Sequence, residues 1–284
     1  MDKTLELETY AVEGKLYKHE SKSIVATEKM MMKNSSEAIL EQTYVRQNPL
    51  KNGNIFHVKT HSENYGKENA TLKITKDMNS LINDIGVITD QTGKVIKITN
   101  KHEVLDKWGD LKKRWKKETT KEDREQVLRT IATIDHNIVQ DNFDTDVTNQ
   151  GALHFLFSGL YGAYPKKEGK VMQKDLSKFL VTQPLPLLIT YTIVEHNKRT
   201  NAMVIEGVGE LDEDRLDKET LNKLIRALKD KINLKVELQV SYKERFEFDS
   251  HHWLDKAMQQ VKVKIPGFYM TESEQTISQI DQYE

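Results

Sequence analysis

Hydrophobic and polar residues alternate most regularly near the C-terminal end of the chain. Two alternating runs, residues 234–248 and 256–265, flank the polar sequence DSHHWLD at 249–255. Apolar side chains of the first run share one parity: Leu234, Val236, Leu238, Val240, Tyr242, Phe246 and Phe248. Residues two apart in an extended chain lie on the same face. The pattern therefore predicts a long strand that leads into a β-hairpin.

The N-terminal third is predicted to be rich in strands. Candidate strands separated by segments rich in Asn, Gly, Pro and Ser are residues 5–17, 39–46, 55–61 and 70–74. A sharper hairpin is predicted where the apolar runs IGVITD and KVIKITN flank residues 91–93. Gly93 can take the positive φ that such a tight connection often requires.

The middle of the chain has helical periodicity. Asn100 and Glu103 have the spacing of a capping box, and apolar residues follow at helical spacing: Val104, Leu105, Trp108, Leu111 and Trp115. A second helix is predicted from about Thr120, with one apolar stripe: Val127, Leu128, Ile131, Ile134 and Ile138. We expect an acidic interhelical loop at 141–149, then an apolar helix or buried turn at 151–165.

The C-terminal half returns to strands. Residues 186–197 and 201–211 are predicted to pair around a polar turn at 198–200, and a last extended segment covers 267–280. One amphipathic helix interrupts them behind Asp217, with its apolar side chains at Leu221, Leu224, Leu228 and Ile232. These elements predict an α+β fold in which helices from the middle of the chain cover a large, twisted, half-barrel-like antiparallel sheet. We expect a single domain over residues 1–284, with 1–165 and 166–284 as the alternative division.

Composition narrows the function classes. The chain has 284 residues, with 43 basic and 44 acidic ones and a net charge of −1, which argues against a globally basic nucleic-acid binder. There is no cysteine, so disulfides, thiolate nucleophiles and Cys-type zinc sites are excluded. The first ten residues have no apolar core of the length that a secretory signal needs, and no stretch approaches the ~20 apolar residues of a membrane helix. The sequence as it stands predicts a cytoplasmic protein, or a periplasmic or envelope protein if a signal peptide was removed.

Candidate metal ligands occur in two places. His251 and His252 lie near Asp249 and Asp255, but adjacent histidines of a strand point to opposite faces, so we expect a solvated hairpin tip. The acidic residues of 141–149 resemble a calcium loop without its glycine, and Phe155 stands where the bidentate glutamate is needed. No nucleotide-binding or hydrolase motif occurs. We therefore expect a non-enzymatic protein with no cofactor and no metal.

Six aromatic and histidine residues are the candidates for binding a ligand or partner: Trp108, Trp115, His154, His251, His252 and Trp253. The first two also fall on an apolar helical stripe, which favours a place in the core. Lysines 112, 113, 116 and 117 form a basic patch on the same helix, expected to be an ordinary solvated face. The run Met30–Met32 offers an adaptable apolar surface or fills gaps in the core.

Two segments carry a resemblance to a known group of proteins. The run VITDQTGKVIKITNKHEVLDKW, residues 87–108, resembles the strand, D-x-x-G, strand and N-x-x-E helix of uncharacterised envelope lipoproteins with a lipoprotein-carrier-like half-barrel. The strand from Tyr242 to Asp249 is similar to the one that follows their helices. The signal peptide and lipidated cysteine of that group are absent from this sequence. The resemblance implies a non-enzymatic, periplasmic or surface-facing protein.

These observations favour a binding or structural protein that presents a curved sheet to an apolar small molecule or a protein partner. One alternative is an accessory component of a secretion or envelope assembly, joined through edge strands or a hairpin tip. Another is a hydrolase that uses Glu206, Glu210 and the histidines named above. We expect no nucleic-acid partner, and peripheral membrane association only through a lipid anchor that has been removed.

Overall fold

The fold comes from a computed structural model. It describes residues 3–7, 14–27, 30–48, 53–66, 70–120, 123–138, 140, 143–165, 168–180, 183–217, 219, 238–267 and 269–282. The strands in these ranges are β1 (Lys3–Leu5), β2 (Gly14–Thr27), β3 (Met31–Asn48), β4 (Gly53–Tyr65), β5 (Asp84–Thr89), β6 (Val95–Ile98), β7 (Gly162–Tyr164), β8 (Lys170–Leu180), β9 (Gln183–His196), β10 (Met203–Leu211), β11 (Gln239–Phe248), β12 (Leu254–Ile265) and β13 (Tyr269–Ile280). The helices are α1 (Ala70–Asn79), α2 (Lys101–Glu118), α3 (Arg124–Ile138), α4 (Phe143–Thr148) and α5 (Gly151–Leu156).

Most of the strands belong to one large antiparallel sheet. Its eleven strands follow the order β6-β5-β4-β3-β2-β13-β12-β11-β10-β9-β8, and β1 pairs with β7 in a separate two-stranded sheet. Strands adjacent in sequence are mostly adjacent in the sheet, as hairpin connections require. The predicted α+β class with a large antiparallel sheet is confirmed.

The contacts divide the chain into two compact units. Unit 1 contains residues 1–8, 20–36 and 163–278, and unit 2 contains residues 9–19, 37–162 and 279–284. Both units draw on distant parts of the sequence. The predicted single domain, with its alternative division after residue 165, stays a prediction.

Unit 1 buries one face of its strands. The hairpin predicted from alternation is formed by β11 and β12, and even-numbered residues of β11 point inward as expected: Tyr242, Glu244, Phe246 and Phe248. In β9 the inward residues are Leu185, Leu187, Ile189 and Tyr191. The opposite face carries mainly charged and polar side chains, which is typical of an antiparallel sheet with one solvated side.

Unit 2 holds its helices together through two tryptophans. The predicted helix α2 buries Val104, Trp108, Leu111 and Trp115. The indole nitrogen of Trp108 donates to Asp135 of α3 at 2.7 Å, and that of Trp115 donates to Asp77 of α1 at 2.6 Å. The two indole rings meet edge to face, 5.7 Å apart. Each tryptophan thus joins α2 to another helix and satisfies its polar atom inside the fold.

Several predictions for unit 2 were wrong. Residues 70–74 begin the helix α1 instead of a strand, and residues 143–148 of the predicted acidic loop form α4. Asn100 precedes α2, but its side chain does not cap the helix. Its amide oxygen accepts the backbone N–H of Gly86, and its amide nitrogen donates to the backbone carbonyl of Asp84 and to the carboxylate of Glu103. Leu128, placed on the apolar stripe of α3, is 44% exposed.

Tertiary contacts explain these differences. Asp77 holds α1 against α2 by accepting hydrogen bonds from Trp115 and Arg114. Asp144 is buried, where it accepts a hydrogen bond from the backbone of Ile98 at 3.1 Å and lies 3.1 Å from the ammonium of Lys101. Asp144 is therefore part of the packing and not of a solvated loop.

Other predicted elements are confirmed, some elements were not predicted, and some predictions concern residues outside the described ranges. The hairpin around Gly93, the pairs β9–β10 and β11–β12, and the last strand β13 are confirmed. Strand β8 was not predicted, and β3 is longer than expected. The strand predicted at 5–17 was misplaced: among the described residues of that range only Leu5, in β1, and residues 14–17, in β2, are strand, and β2 continues to Thr27. The helix predicted at 221–232 and the start of the run at 234–237 lie outside the described residues. In the described ranges, no helix combines the length and apolar character needed to cross a membrane.

Candidate functional site

A row of polar side chains crosses the buried face of unit 1. The strand registers place Tyr191 of β9 opposite Gly207 of β10, Gly207 opposite Glu244 of β11, and Glu244 opposite Gln259 of β12. Gln259 in turn faces Gln275 of β13. Lys174 of β8 and Tyr242 of β11 bond Glu244 and extend this line of polar side chains. We call the six residues the buried polar row: Lys174, Tyr191, Tyr242, Glu244, Gln259 and Gln275.

Two glycines of β10 make this arrangement fit. A side chain at Gly207 would place its Cβ 2.5 Å from the ring of Tyr191, and one at Gly209 would lie 2.8 Å from the ring of Tyr242. Both distances are too short for real contacts, so the tyrosine rings occupy the space that side chains on β10 would fill.

Glu244 is the centre of the buried polar row. Its Oε1 accepts hydrogen bonds from Tyr242 at 2.6 Å, Gln259 at 2.7 Å and Lys174 at 3.2 Å. Its Oε2 accepts one from the hydroxyl of Tyr191 at 2.5 Å. The side chain of Glu244 is completely buried, and 14% of the Lys174 side chain is exposed. A buried charge is tolerated only with such pairing and hydrogen bonding.

The environment changes the acidity of the neighbours of Glu244. Burial raises the pKa of both Tyr191 and Tyr242 well above the ordinary tyrosine value, and the nearby carboxylate raises each further. Burial also lowers the pKa of Lys174, while the charge of Glu244 opposes that effect. Both tyrosines therefore remain hydrogen-bond donors at neutral pH.

The row runs from the interior toward a more open strand. Glu244 is 2% and Gln259 is 6% exposed, whereas Gln275 on β13 is half-buried. The amide of Gln275 donates to Gln259 Oε1 at 3.3 Å, which connects it to the buried members. Apolar residues flank the row on the same face: Ile189, Ile205, Phe246, Val261 and Ile277. The result is an apolar wall with one line of convergent polar groups.

The predicted site residues of the β11–β12 hairpin lie in unit 1. Asp249 Oδ1 accepts the backbone N–H groups of His251 and Trp253, both at 2.9 Å. Trp253 is 1% and His252 is 4% exposed. The expected solvated hairpin tip is therefore wrong for these two residues, which are buried. The ring of His252 lies 2.6 Å from the carbonyl of Glu6 and 3.0 Å from that of Asn201. It therefore clamps three parts of unit 1.

The other predicted site residues lie in unit 2. Trp108 and Trp115 contact each other in the helical core, and His154 of α5 is 7% exposed beside Phe155. Lys112 of the basic patch bonds Asp135, and Lys113 pairs with Asp110. A binding role for the six predicted residues stays a prediction. The described part of the chain holds no group of three or more histidine and acidic side chains arranged for a metal ion.

Glu206, a residue of the hydrolase alternative, lies on the solvated face. It pairs with Arg245 at 2.6 Å, and Arg245 also bonds Glu195 and Glu247. Sequence reasoning missed the buried polar row on the other face. The available signal was Glu244, an acidic residue at an inward parity between Tyr242 and Phe246. A charge at such a position needs a buried partner, and Lys174 supplies it.

Comparisons with known proteins identify no family. No family model matches the chain, and no curated protein matches it. Among solved structures, the chain is similar to lipovitellin, studied for its lipid–protein interactions, with a TM-score of 0.49 and 12% identity. The match covers 96% of this chain, which spans about a quarter, 26%, of the lipovitellin chain. The resemblance to envelope lipoproteins stays a prediction.

Proposed function

We propose that this protein binds an amphipathic ligand of the acyl-lipid type and carries out no catalysis. The observation that carries this proposal is the buried polar row, which crosses an apolar sheet face and ends at the half-buried Gln275. Sites for such ligands are mainly apolar, with a few polar groups that fix orientation. The members of the apolar wall are 0–2% exposed, so the hydrocarbon part would enter by displacing the side chains packed on them, and the row would bond the polar head.

Gln275 is the member best suited to contact a polar head. Its amide carries both donors and an acceptor, which can bond a carboxylate, an ester or a hydroxyl. Gln259 already donates to Tyr242 and Glu244 and accepts from Gln275, so it holds the amide of Gln275 in place. Gln275 is half-buried at the β13 end of the row, whereas Glu244 and Lys174 neutralise each other at the other end, between β11 and the edge strand β8. The proposed head group therefore binds over β12 and β13, and the other members of the row hold their strands in register.

The bonding of Glu244 supports a role without catalysis. A general base needs a carboxylate oxygen that reaches a substrate proton. Both oxygens of Glu244 already accept hydrogen bonds from protein side chains, and one accepts three. The carboxylate is thus committed to holding four strands together.

Mass spectrometry of organic extracts tests the proposal. Protein purified from its natural source is expected to release an acyl lipid in a near-stoichiometric amount. Gln275→Leu is expected to weaken ligand affinity about fivefold and so to lower the lipid recovered per protein, since one polar contact contributes about 1 kcal/mol. Gln260→Leu is the matched control, because Gln260 is exposed on the opposite face of β12 and bonds Glu274. Extracts without lipid, or equal loss in both variants, would contradict the proposal.

We further propose that the protein works in the periplasm or cell envelope, as the resemblance implies. Fractionation of the source cells with an antibody against the protein tests this location. Recovery in the periplasmic or membrane fraction is expected. Recovery with cytosolic markers alone would contradict the envelope location and leave ligand binding to be judged from the extracts.

A further inference from the structure

The hairpin formed by β2 and β3 carries an exposed apolar run, residues 30–32, next to the two charged residues, Glu28 and Lys29, that connect the strands in sequence; this run is called the tip. Thr27 donates its backbone N–H to the carbonyl of Met30 at 2.8 Å, which closes the hairpin. Met30, Met31 and Met32 are 51%, 63% and 43% exposed. Three consecutive large apolar side chains in water are costly to leave uncovered, so this surface calls for a partner.

The two faces of the tip are both apolar. Met31 and Met32 are consecutive residues of β3, and consecutive strand residues point to opposite faces. Both are exposed, so water contacts methionine on each side of the hairpin. A flat protein surface would cover only one side. The acyl region of a membrane surrounds an inserted tip and covers both.

Charge next to the tip favours an anionic lipid surface. Residues 22–33 contain three lysines and one glutamate, a net charge of +2 in a chain whose net charge is −1. Lys22 on β2 and Lys33 on β3 are exposed just behind the methionines. Their stems can lie along the apolar part of the interface while their ammonium groups reach lipid phosphates.

We propose that the β2–β3 tip inserts into the surface of a membrane containing anionic lipids. Met30, Met31 and Met32 enter the acyl boundary, and Lys22 and Lys33 contact the head groups. Thioether side chains are flexible and suit a fluid apolar environment. This docking would bring unit 1, to which residues 20–36 belong, to a lipid surface. The proposal stands on the tip alone and does not require the buried polar row to bind a ligand.

Flotation with vesicles tests this docking. The full chain is mixed with phosphatidylcholine vesicles, with or without phosphatidylglycerol. Binding to the anionic vesicles is expected, weaker at high salt. The variant M30T/M31T/M32T is expected to bind at least about tenfold more weakly, because binding scales with the apolar area inserted. Threonine keeps strand propensity, so the fold is expected to persist.

The chain offers a matched control. Val171, Val194 and Val208 are 59%, 45% and 59% exposed on strands of the same unit. V171T/V194T/V208T removes a similar exposed apolar surface elsewhere and is expected to bind as the unchanged chain does. Absence of binding to either vesicle, or equal binding by the methionine variant, would overturn the proposal. A protein partner for the tip would then take its place.

A second measurement locates the insertion. Because the chain has no cysteine, Met31→Cys or Val208→Cys accepts a single environment-sensitive fluorophore. Anionic vesicles are expected to shift the emission of the label at position 31 to shorter wavelength and to leave position 208 unchanged. No shift at position 31, or equal shifts at both, would overturn insertion of the tip. Lipid extracts of M30T/M31T/M32T report on the ligand proposal separately.

Discussion

The ammonium of Lys174 lies 3.2 Å from the carboxylate of Glu244, although two strands, β9 and β10, separate their own strands. Three strand spacings correspond to about 14 Å between the backbones. The two long side chains meet over β10, where Gly207 and Gly209 carry no side chain. One ion pair therefore ties the edge strand β8 to β11. An inward-pointing charge on an edge strand also discourages pairing with another chain.

Removing one partner of this pair is expected to destabilise the fold strongly. Glu244→Leu removes the carboxylate that accepts hydrogen bonds from the Lys174 ammonium and from two tyrosine hydroxyls. The expected loss in the free energy of unfolding is about 3–5 kcal/mol. Denaturant unfolding of Glu244→Leu, Lys174→Met and the double variant measures it, and the double variant should recover part of the loss. The control Glu272→Leu breaks the solvated Lys262–Glu272 pair and should cost under about 1 kcal/mol. Equal small losses at both sites would contradict this role.

Glycine substitutions test the packing over β10. Gly207→Ala places a methyl group against the ring of Tyr191, which cannot move freely because its hydroxyl bonds Glu244. We expect a loss of about 1–3 kcal/mol in the free energy of unfolding. Gly109→Ala is the opposite case, since nothing lies within 4 Å of the added Cβ in α2. That change should stabilise the protein by about 0.5–1 kcal/mol. A neutral Gly207→Ala would show that the ring is not held there.

The tyrosines predict a loss of stability in alkali. Their pKa values are raised above the ordinary 10.0 in the folded protein, so above about pH 10 the folded state holds more protons than the unfolded chain. Their stabilising contribution is complete below that pH and is lost as the pH rises toward the folded-state pKa. The lowered pKa of Lys174 acts in the opposite direction, below its ordinary 10.5.

Unfolding free energies at about pH 9 and pH 11 measure this effect. We expect the two tyrosines to outweigh the single lysine, so the unchanged chain should lose stability between these pH values. Y191F/Y242F starts less stable, because it lacks hydrogen bonds to Glu244, but should show a shallower decline. An equal decline in both proteins would assign the alkaline loss to groups outside the buried polar row.

His252 is expected to hold the N-terminal strand in place. Its ring nitrogens lie 2.6 Å from the carbonyl of Glu6 and 3.0 Å from that of Asn201. His252→Ala should cost about 1–3 kcal/mol, because it removes the hydrogen-bond partner of two part-buried carbonyl groups. Hydrogen exchange of the N-terminal peptide should then speed up. His251→Ala is the control, because the hydrogen bond of His251 to Asp249 uses its backbone. Equal exchange in both variants would contradict the clamp.

The sequence predicted those parts of the fold where one local pattern decides the structure. Alternation in residues 239–265 was enough for β11 and β12, because one buried face imposes a period of two. The same argument failed at residues 70–74, where a short apolar run also fits a helix and the contact of Asp77 with α2 decides. Strand β8 was missed because its sequence mixes lysines and apolar residues without a clear period.

The buried polar row was beyond sequence reasoning for a different reason. Its members lie between residues 174 and 275, and they meet only after five pairings set the registers. No local pattern encodes a contact across three strand spacings. Glu244 at an inward position was the one sign of the row in the sequence. It indicated that a buried partner exists but did not identify that partner as Lys174.

Photochemical cross-linking tests the central claim, that an acyl ligand binds with its head on β12 and β13, most directly. A palmitic acid analogue with a diazirine close to the carboxyl group is bound, irradiated and mapped by peptide mass spectrometry. The predicted adduct lies on the C-terminal tryptic peptide, residues 265–284, which contains Gln275. Excess palmitate should abolish it. No adduct, or adducts confined to peptides from residues 37–162 of unit 2, would contradict the claim.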